Sequence, residues 1–227
     1  MPASPSPAQS ARSIDPHAVH FLHIGKTGGS AISRMLKNAV SPACQTHRHS
    51  IKLRDLPRGA RYFFSIRQPV SRFYSGFYSR KRQGKPLFSF PWSPDEALAF
   101  RTFEHANDLA EALFDPAPIG LQAVQAILSI QHTAQKQVSW FEAHGQIFDI
   151  HPPVWIVRQE NFAGDLARLR ERVQLELSAE PGTEPVHAND YSGLPPLTDK
   201  AKANLERWYS DDIAFYTLCE QWLAANS

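Results

Sequence analysis

Residues 20–36 read HFLHIGKTGGSAISRML, and this stretch decides the fold. It overlaps an apolar run over residues 18–24, which is typical of a buried parallel strand. Over residues 29–39, apolar side chains recur at the spacing of one helix face. A glycine-rich turn, residues 25–30, therefore joins a predicted strand to a predicted helix.

Strands and helices alternate along the rest of the chain. Two further apolar runs, residues 61–66 and 153–157, are predicted strands. We expect helices at 69–82, at two places within 91–114, at 119–130, at 161–173, and after residue 198 with a break near Ser210. Their start signals are Pro69 in a first turn, the stretch Ser93 to Glu96, and the caps Asn161 and Thr198. Residues 41–57 and 178–196 are expected to be irregular. This order predicts a three-layer α/β fold with a central parallel sheet flanked by helices.

Size and composition indicate one domain behind a short leader. The chain has 227 residues, of which 42% are hydrophobic and 20% charged, as in an ordinary globular domain. Residues 1–17 are rich in Pro, Ser and Ala, so we expect a disordered leader and a single domain over 18–227. The sequence has neither an apolar run of about 18 residues nor the apolar core of a signal peptide. Its two cysteines, Cys44 and Cys219, form neither a disulfide framework nor a metal pattern.

Positive charge is concentrated in one segment. The formal net charge is +2, but residues 48–85 hold eleven Lys or Arg and a single acidic residue, Asp55. Such a basic field attracts polyanions, although a solvated helix face gives the same pattern. No recognised nucleic-acid-binding motif is present, so we do not expect nucleic acid as a partner.

The glycine-rich turn has the properties of an anion site. N–H groups at a helix N-terminus carry partial positive charge, and Lys26 adds a full charge. A Walker-type loop needs four residues between its first glycine and its Gly-Lys pair. Here Gly25 directly precedes Lys26, and the glycine pair follows the lysine. The spacing favours an anion smaller than a magnesium triphosphate; the alternative is an ordinary turn with incidental glycines.

Residues 21–30, FLHIGKTGGS, resemble the 5′-phosphosulfate loop of sulfotransferases. The resemblance is closest to the carbohydrate and membrane-associated type, whose loop reads approximately H-I-P-K-T-G-G-T-S. Gly25 replaces the proline and Ala31 replaces the final serine. The resemblance implies a P-loop-like sulfotransferase fold and the cofactor 3′-phosphoadenosine 5′-phosphosulfate (PAPS), with no metal. It assigns the 5′-phosphosulfate to Gly25, Lys26, Thr27, Gly28, Gly29 and Ser30.

Residues 67–78, RQPVSRFYSGFY, resemble the 3′-phosphate element of the same family, R-D-P-x-x-R-F-x-S-x-Y. Arg67 follows the second predicted strand, at the sheet edge where α/β proteins bind ligands. An arginine and a hydroxyl can hold a phosphate through charge-assisted hydrogen bonds. The resemblance assigns the 3′-phosphate to Arg67 and Ser75. Gln68 replaces the usual aspartate, which changes one support of this loop.

Sulfuryl transfer to an alcohol requires electrostatic stabilisation and a base. Lys26 can stabilise the charge on the leaving phosphate. A histidine can take the acceptor proton near neutral pH, and the family often places one between the two cofactor elements. His49 is the first choice and His47 the second; the alternative is that both are ordinary loop histidines. His105 and His132 lie in the helical middle region, which could line an acceptor cleft, and His132 with Gln135 loosely resembles a family H-x-x-x-Q pattern; a core or surface role is favoured for both histidines.

The sequence therefore predicts a PAPS-dependent sulfotransferase that modifies a hydroxyl or amine, with a carbohydrate or glycan, including an acidic one, as acceptor. The absence of an anchor indicates a cytoplasmic, bacterial-type enzyme. One alternative is a P-loop-like nucleotide or sugar kinase, which needs a magnesium-binding carboxylate after a strand; none of the three predicted strands ends in Asp. The other is a non-catalytic nucleotide- or glycan-binding module, against which Lys26 argues.

Overall fold

The computed structural model describes residues 14–86, 89–141, 146–178 and 191–227. Most of the predicted leader, through residue 13, and most of the predicted loop, residues 179–190, lie outside the described residues. The strands are β1 (Val19–Leu22), β2 (Ala39–Ser41), β3 (Cys44–Thr46), β4 (Tyr62–Ile66), β5 (Trp155–Arg158) and β6 (Glu176–Leu177).

A parallel sheet forms the centre of the fold. Its strand order is β3-β1-β4-β5, and each neighbouring pair is parallel. All residues of β1 and β4 are buried, as expected for central strands covered on both faces. Phe21 pairs with Phe63 across these two strands, and their rings stack with centroids 4.9 Å apart. Strands β2 and β6 form a separate antiparallel pair.

Helices follow and connect these strands. They are α1 (Gly29–Leu36), α2 (Pro69–Lys81), α3 (Pro94–Thr102), α4 (Ala106–Ala112), α5 (Pro118–Ser129), α6 (Gln131–Ala134), α7 (Ile147–Ile150), α8 (Phe162–Val173), α9 (Asp199–Trp208) and α10 (Ser210–Ala225). The predicted start signals of three of them are confirmed. Pro69 lies in the first turn of α2, the Ser93 hydroxyl accepts from the N–H of Glu96, and the Thr198 hydroxyl accepts from that of Ala201.

Apolar side chains form two buried clusters. The first surrounds the sheet and includes Ile32 of α1, Leu169 of α8 and Phe215 of α10. The second lies among α2, α3, α4, α5 and α9 and includes Phe77 and Leu109. The described residues therefore have an α/β architecture, with a four-stranded parallel sheet flanked by helices, which is compatible with three layers. None of the helices in the described ranges combines the length and the apolar composition that a bilayer crossing requires.

The sheet brings the two predicted ligand elements together. Strands β1 and β4 are adjacent and parallel, so their carboxyl ends lie at the same edge of the sheet. The glycine-rich turn follows β1, and Arg67 follows β4. Two segments that are distant in sequence therefore lie side by side at the edge where α/β folds bind ligands.

The expectation of an irregular segment at 41–57 is wrong. Strand β3 lies within it and adds a fourth strand to the three that were predicted. Its residues, Cys-Gln-Thr, are too few and too polar to give an apolar run, and β3 forms because the edge of β1 offers unpaired backbone groups. The short elements α6, α7 and β6 likewise produce no periodic pattern. Asn161 occupies the predicted cap position of α8 but makes no cap hydrogen bond, because its amide donates to Asp165.

A buried ion pair connects α2 to α3. Arg80 and Glu96 are both almost inaccessible to solvent, and Nε of Arg80 donates to Oε1 of Glu96 at 2.7 Å. The same carboxylate accepts from the backbone N–H groups of Ser93 and Gln131. Since both charges are buried, each depends on the other for compensation.

We expect Glu96→Gln to lower the free energy of unfolding by about 3 kcal/mol, because the Arg80 guanidinium would remain buried without an opposite charge. Urea denaturation at pH 7 measures the change. Glu171→Gln is the matched control, since Glu171 pairs with Arg168 on the exposed surface. Its cost should stay below about 1 kcal/mol. Equal costs for the two variants would contradict the role assigned to the buried pair.

Candidate functional site

The turn between β1 and α1 has a backbone that demands glycine at one position. Gly28 has φ of 86°, in the left-handed region, and a Cβ atom there would lie 2.5 Å from Oε1 of Gln159. Lys26 is also left-handed, with φ of 70°. A non-glycine residue in this conformation costs about 1 kcal/mol or more, and such strain is concentrated at functional sites. The turn therefore has a backbone conformation that residues other than glycine rarely adopt, and Lys26 occupies one of its strained positions.

The N–H groups of this turn have no internal acceptor. Within the described part of the chain, the backbone N–H groups of residues 26–30 donate to no other group. Helix α1 has Gly28 as its N-cap, without a side-chain cap, and carries no acidic residue in its first turn. Free N–H groups and the positive end of a helix together favour a bound anion.

The side chains of the turn differ in burial. The Thr27 hydroxyl is buried; it donates to the carbonyl of Ile24 at 2.8 Å and lies 2.7 Å from the Ser65 hydroxyl. Of the groups predicted for Thr27, only its backbone N–H therefore remains for a ligand. Ser30 is exposed. The ring of His23 covers Gly29 closely, since a Cβ atom there would lie 2.0 Å from that ring.

Four basic side chains act on one another around the turn. Burial, and after it charge repulsion from Arg67, Arg82 and Arg72, lowers the pKa of Lys26 to about 8. Burial also lowers the pKa of Arg67 below its ordinary value. Clustered cations at partly buried positions repel each other, and an anion bound among them would relieve that repulsion.

The backbone of Arg67 is fixed by hydrogen bonds to a neighbouring side chain, and its guanidinium contacts a hydroxyl. The amide of Gln137 pairs with both backbone groups of Arg67: it accepts from the N–H at 3.0 Å and donates to the carbonyl at 2.7 Å. Nε of Arg67 donates to the Ser71 hydroxyl at 2.8 Å. Gln68 caps α2, because its side-chain oxygen accepts from the N–H of Ser71 at 2.8 Å.

Ser75, the predicted partner of Arg67, contacts a different side chain. Ser75 is only 2% exposed, and its hydroxyl accepts from the Tyr191 hydroxyl at 3.3 Å. The hydroxyl that contacts Arg67 belongs to Ser71, one helical turn after the arginine, which sequence reasoning did not assign. Because Arg67 precedes α2, no helical spacing in the sequence indicated this contact. Joint binding of one phosphate by Arg67 and Ser75 stays a prediction.

A groove of about 650 Å³ opens beside Arg67. One wall comes from α2 and includes Ser71 and Tyr74, and the other comes from residues 191–197 and α9 and includes Leu194. Its volume is that of a small-molecule site, and its lining combines apolar side chains with the charged groups of Arg67, Lys202 and Glu206. Residues 25–30 do not line it, so it extends the site away from the turn, on the side of Arg67.

Arg72 is a site residue that sequence reasoning left without a role. It is 2% exposed, and it donates from Nε to the carbonyl of Gly25 at 2.9 Å and from Nη1 to that of Gln135 at 2.8 Å. Buried Asp212 supplies an opposing charge, and its carboxylate accepts from the N–H groups of Gln137 and Val138 at 2.9 Å each. Arg72 thus joins the glycine-rich turn to the segment that holds Arg67.

The two predicted base histidines have different surroundings. His49 is exposed, and its Nδ1 lies 2.6 Å from the carbonyl of His23. Because a carbonyl only accepts, Nδ1 carries the proton and Nε2 of the neutral ring is left as an acceptor. His47 is 7% exposed, and its Nε2 lies 2.9 Å from Nδ1 of buried His20. Of the two, only His49 presents a basic nitrogen to solvent.

A further histidine lies at the turn. His132 of α6 places Nδ1 3.5 Å from where a Cβ atom on Gly25 would stand, and Cε1 of His49 is 3.9 Å from the same point. These distances are ordinary contacts, so Gly25 is not required by crowding alone. Burial, and after it the charges of Lys26, Arg72, His49 and Arg80, lowers the pKa of His132 to about 3. In the sequence, the signals for His132 were its place in the helical middle region and the loose H-x-x-x-Q resemblance that it forms with Gln135.

The His20–His47 pair makes stability depend on pH. Burial, and after it the charge of His20, lowers the pKa of His47 to about 4, below the ordinary value near 6.5. The unfolded chain therefore takes up a proton at a higher pH than the folded chain does. Stability contributed by neutral His47 is complete above about pH 6.5 and is lost as the pH falls towards 4.

We expect the wild-type chain to lose on the order of 1–2 kcal/mol more than His47→Gln between pH 7 and pH 5. Glutamine can still accept from His20 but does not titrate. Urea denaturation of both proteins at the two pH values gives the difference, and other histidines contribute equally to both. Parallel losses of stability would show that His47 is not the titrating group.

The described site combines free N–H groups, four basic side chains and one histidine with a free Nε2. The described residues contain no group of three or more His, Cys, Asp or Glu that could hold a metal ion. Comparisons with models of protein families, with curated proteins and with solved structures each give no match.

Proposed function

We propose that this protein is a sulfotransferase that uses PAPS and transfers the sulfuryl group to a hydroxyl or amine, with a carbohydrate or glycan as acceptor. One observation carries the proposal. The glycine-rich turn with free N–H groups and Lys26 lies beside Arg67, at the carboxyl ends of two adjacent parallel strands. Two anion-binding elements at one edge suit a ligand that carries two separate anionic groups.

The residues present fit such a nucleotide. The N–H groups of residues 26–30 would hold the 5′-phosphosulfate, with Lys26 beside it. Arg67 and Ser71, with Ser75 behind them, would hold the 3′-phosphate, and the groove next to Arg67 has room for the nucleoside. When bound, PAPS supplies a sulfuryl group on a phosphate leaving group.

The chain's own residues would place the charges and the proton. With PAPS bound, transfer would free the acceptor proton and would leave negative charge on the 5′-phosphate. Lys26 stabilises the negative charge that develops there. Nε2 of His49 receives the acceptor proton, since Nδ1 is already committed to the carbonyl of His23.

The basic segment narrows the class of acceptor within this proposal. Exposed cations at Arg54 and Arg58 lie on the approach to β4, in the segment that also carries His49. An acidic glycan, for example one with uronic-acid units, would be attracted to this side of the molecule. Neutral sugars would lack that electrostatic steering.

We expect 3′-phosphoadenosine 5′-phosphate (PAP) to bind with a Kd in the micromolar range, because both anionic groups would find preorganised partners. Isothermal titration with PAP, and separately with ATP and magnesium, measures this. Adenosine 5′-monophosphate is the matched control ligand, since it lacks the 3′-phosphate that Arg67 would bind. Binding of ATP with magnesium but not of PAP would favour a kinase. Tight PAP binding without transfer to any acceptor would favour a non-catalytic module.

PAP affinity should fall about 10-fold between pH 7 and pH 9. Lys26 has a pKa of about 8 in the free protein, and only its protonated form attracts the anion, so binding above this pH must first protonate the lysine. Titrations at constant ionic strength provide the affinities. Lys26→Met should bind more weakly at pH 7, show little pH dependence in this range, and transfer no sulfate. The same pH dependence in wild type and variant would remove Lys26 from the site.

A further inference from the structure

Two imidazole rings flank the residue that precedes Lys26. His49 reaches Gly25 from the segment that follows β3, and His132 reaches it from α6. Their nearest ring atoms lie 3.9 Å and 3.5 Å from the same point, the Cβ position of Gly25. Two histidines from distant parts of the chain therefore meet at the start of the glycine-rich turn.

The backbone of α6 is fixed against α2 so that His132 faces the turn. A Cβ atom on Gly76 would lie 3.1 Å from Cβ of His132, so glycine in α2 permits the close approach of α6. Arg72 of α2 binds the carbonyl of Gln135, directly after α6, and also the carbonyl of Gly25. The same guanidinium thus sets the position of the turn and of the helix that carries His132.

The ring of His132 has no structural task within the described residues. None of them forms a hydrogen bond with either of its nitrogens, and the residue is half-buried, with neither nitrogen sealed from solvent. By contrast, each of His20, His47 and His151 has a ring nitrogen bonded inside the protein. A neutral imidazole offers one N–H donor and one acceptor, and His132 leaves both available beside Lys26.

The charges around His132 keep its ring neutral. The charges that act on it are those of Lys26 in the turn, Arg72 and Arg80 in α2, and His49 in the segment after β3. Burial and these cations disfavour a positive imidazolium, so this ring is poorly suited to take a proton. A neutral ring with an N–H group is suited to donate a hydrogen bond to an oxygen that gains negative charge.

We propose that His132 is a second catalytic imidazole, which donates an N–H hydrogen bond to an oxygen of the transferring sulfuryl group while His49 takes the acceptor proton. The assignment rests on the proposed sulfotransferase function. No bond to His132 forms or breaks in the step, and its proton stays on the ring. Its contact is with the group in transfer, so its contribution is to the rate and not to the binding of PAP.

The test compares His132→Ala, His132→Asn and His49→Ala at saturating PAPS and acceptor. His132→Ala should lower kcat by about 100-fold, as expected for the loss of one preorganised donor. Its Kd for PAP should stay within about threefold of wild type, and its pH–rate profile should keep the wild-type shape. His132→Asn should recover part of the rate because the amide is also a donor. His49→Ala should alter the pH–rate profile.

Gln131→Ala is the control, since Gln131 is exposed on the same short helix and should leave the rate unchanged. A rate for His132→Ala within threefold of wild type would overturn the assignment, and so would a loss of PAP affinity as large as the loss of rate. A wild-type chain that binds no PAP would overturn the proposed function, and this assignment with it. A wild-type chain that transfers sulfate together with a fully active His132→Ala would overturn only the assignment.

Discussion

The buried guanidinium of Arg72 is the interaction on which the arrangement of the site depends. It binds the carbonyl of Gly25 and the carbonyl of Gln135, and so connects the turn after β1 to the segment after α6. That segment continues to Gln137, whose amide pairs with both backbone groups of Arg67. One buried cation therefore fixes, directly or through Gln137, the lysine-bearing turn, the helix with His132, and the arginine at the end of β4.

Placing a cation in this position constrains the rest of the fold. A buried guanidinium must be satisfied by acceptors and balanced by negative charge. Backbone carbonyls satisfy it here, and buried Asp212 at the start of α10 supplies the opposing charge while binding the N–H groups of Gln137 and Val138. Helix α10 thus contributes to the site through Asp212. Among the described residues, the charges that act on Lys26 are those of the cations Arg67, Arg82 and Arg72, so a bound anion would be its natural complement.

The sequence was sufficient for the parts of the fold that have a periodic or chemical signal. The strand–turn–helix at 18–39, the strand before Arg67 and the caps at Ser93 and Thr198 follow from local patterns. Strand β3 could not be predicted, because three polar residues become a strand only when β1 presents an open edge. The pairing of Arg67 with Ser71 could not be predicted either. The same holds for the contacts of Arg72 and His132 with Gly25, because they depend on how α2 and α6 lie against the turn. Local signals specify elements, whereas side-chain partners depend on tertiary packing.

The two histidines beside Gly25 show how one electrostatic environment can separate two roles. Both rings lie near Lys26, yet the exposed ring of His49 has its tautomer fixed by a backbone carbonyl, which leaves Nε2 basic and accessible. The ring of His132 is more enclosed and faces four basic side chains, so protonation is disfavoured there. A proton released at this site would therefore go to His49, and an oxygen that gains charge would find the N–H of His132. Both rings approach the same point, the Cβ position of Gly25, at ordinary contact distances.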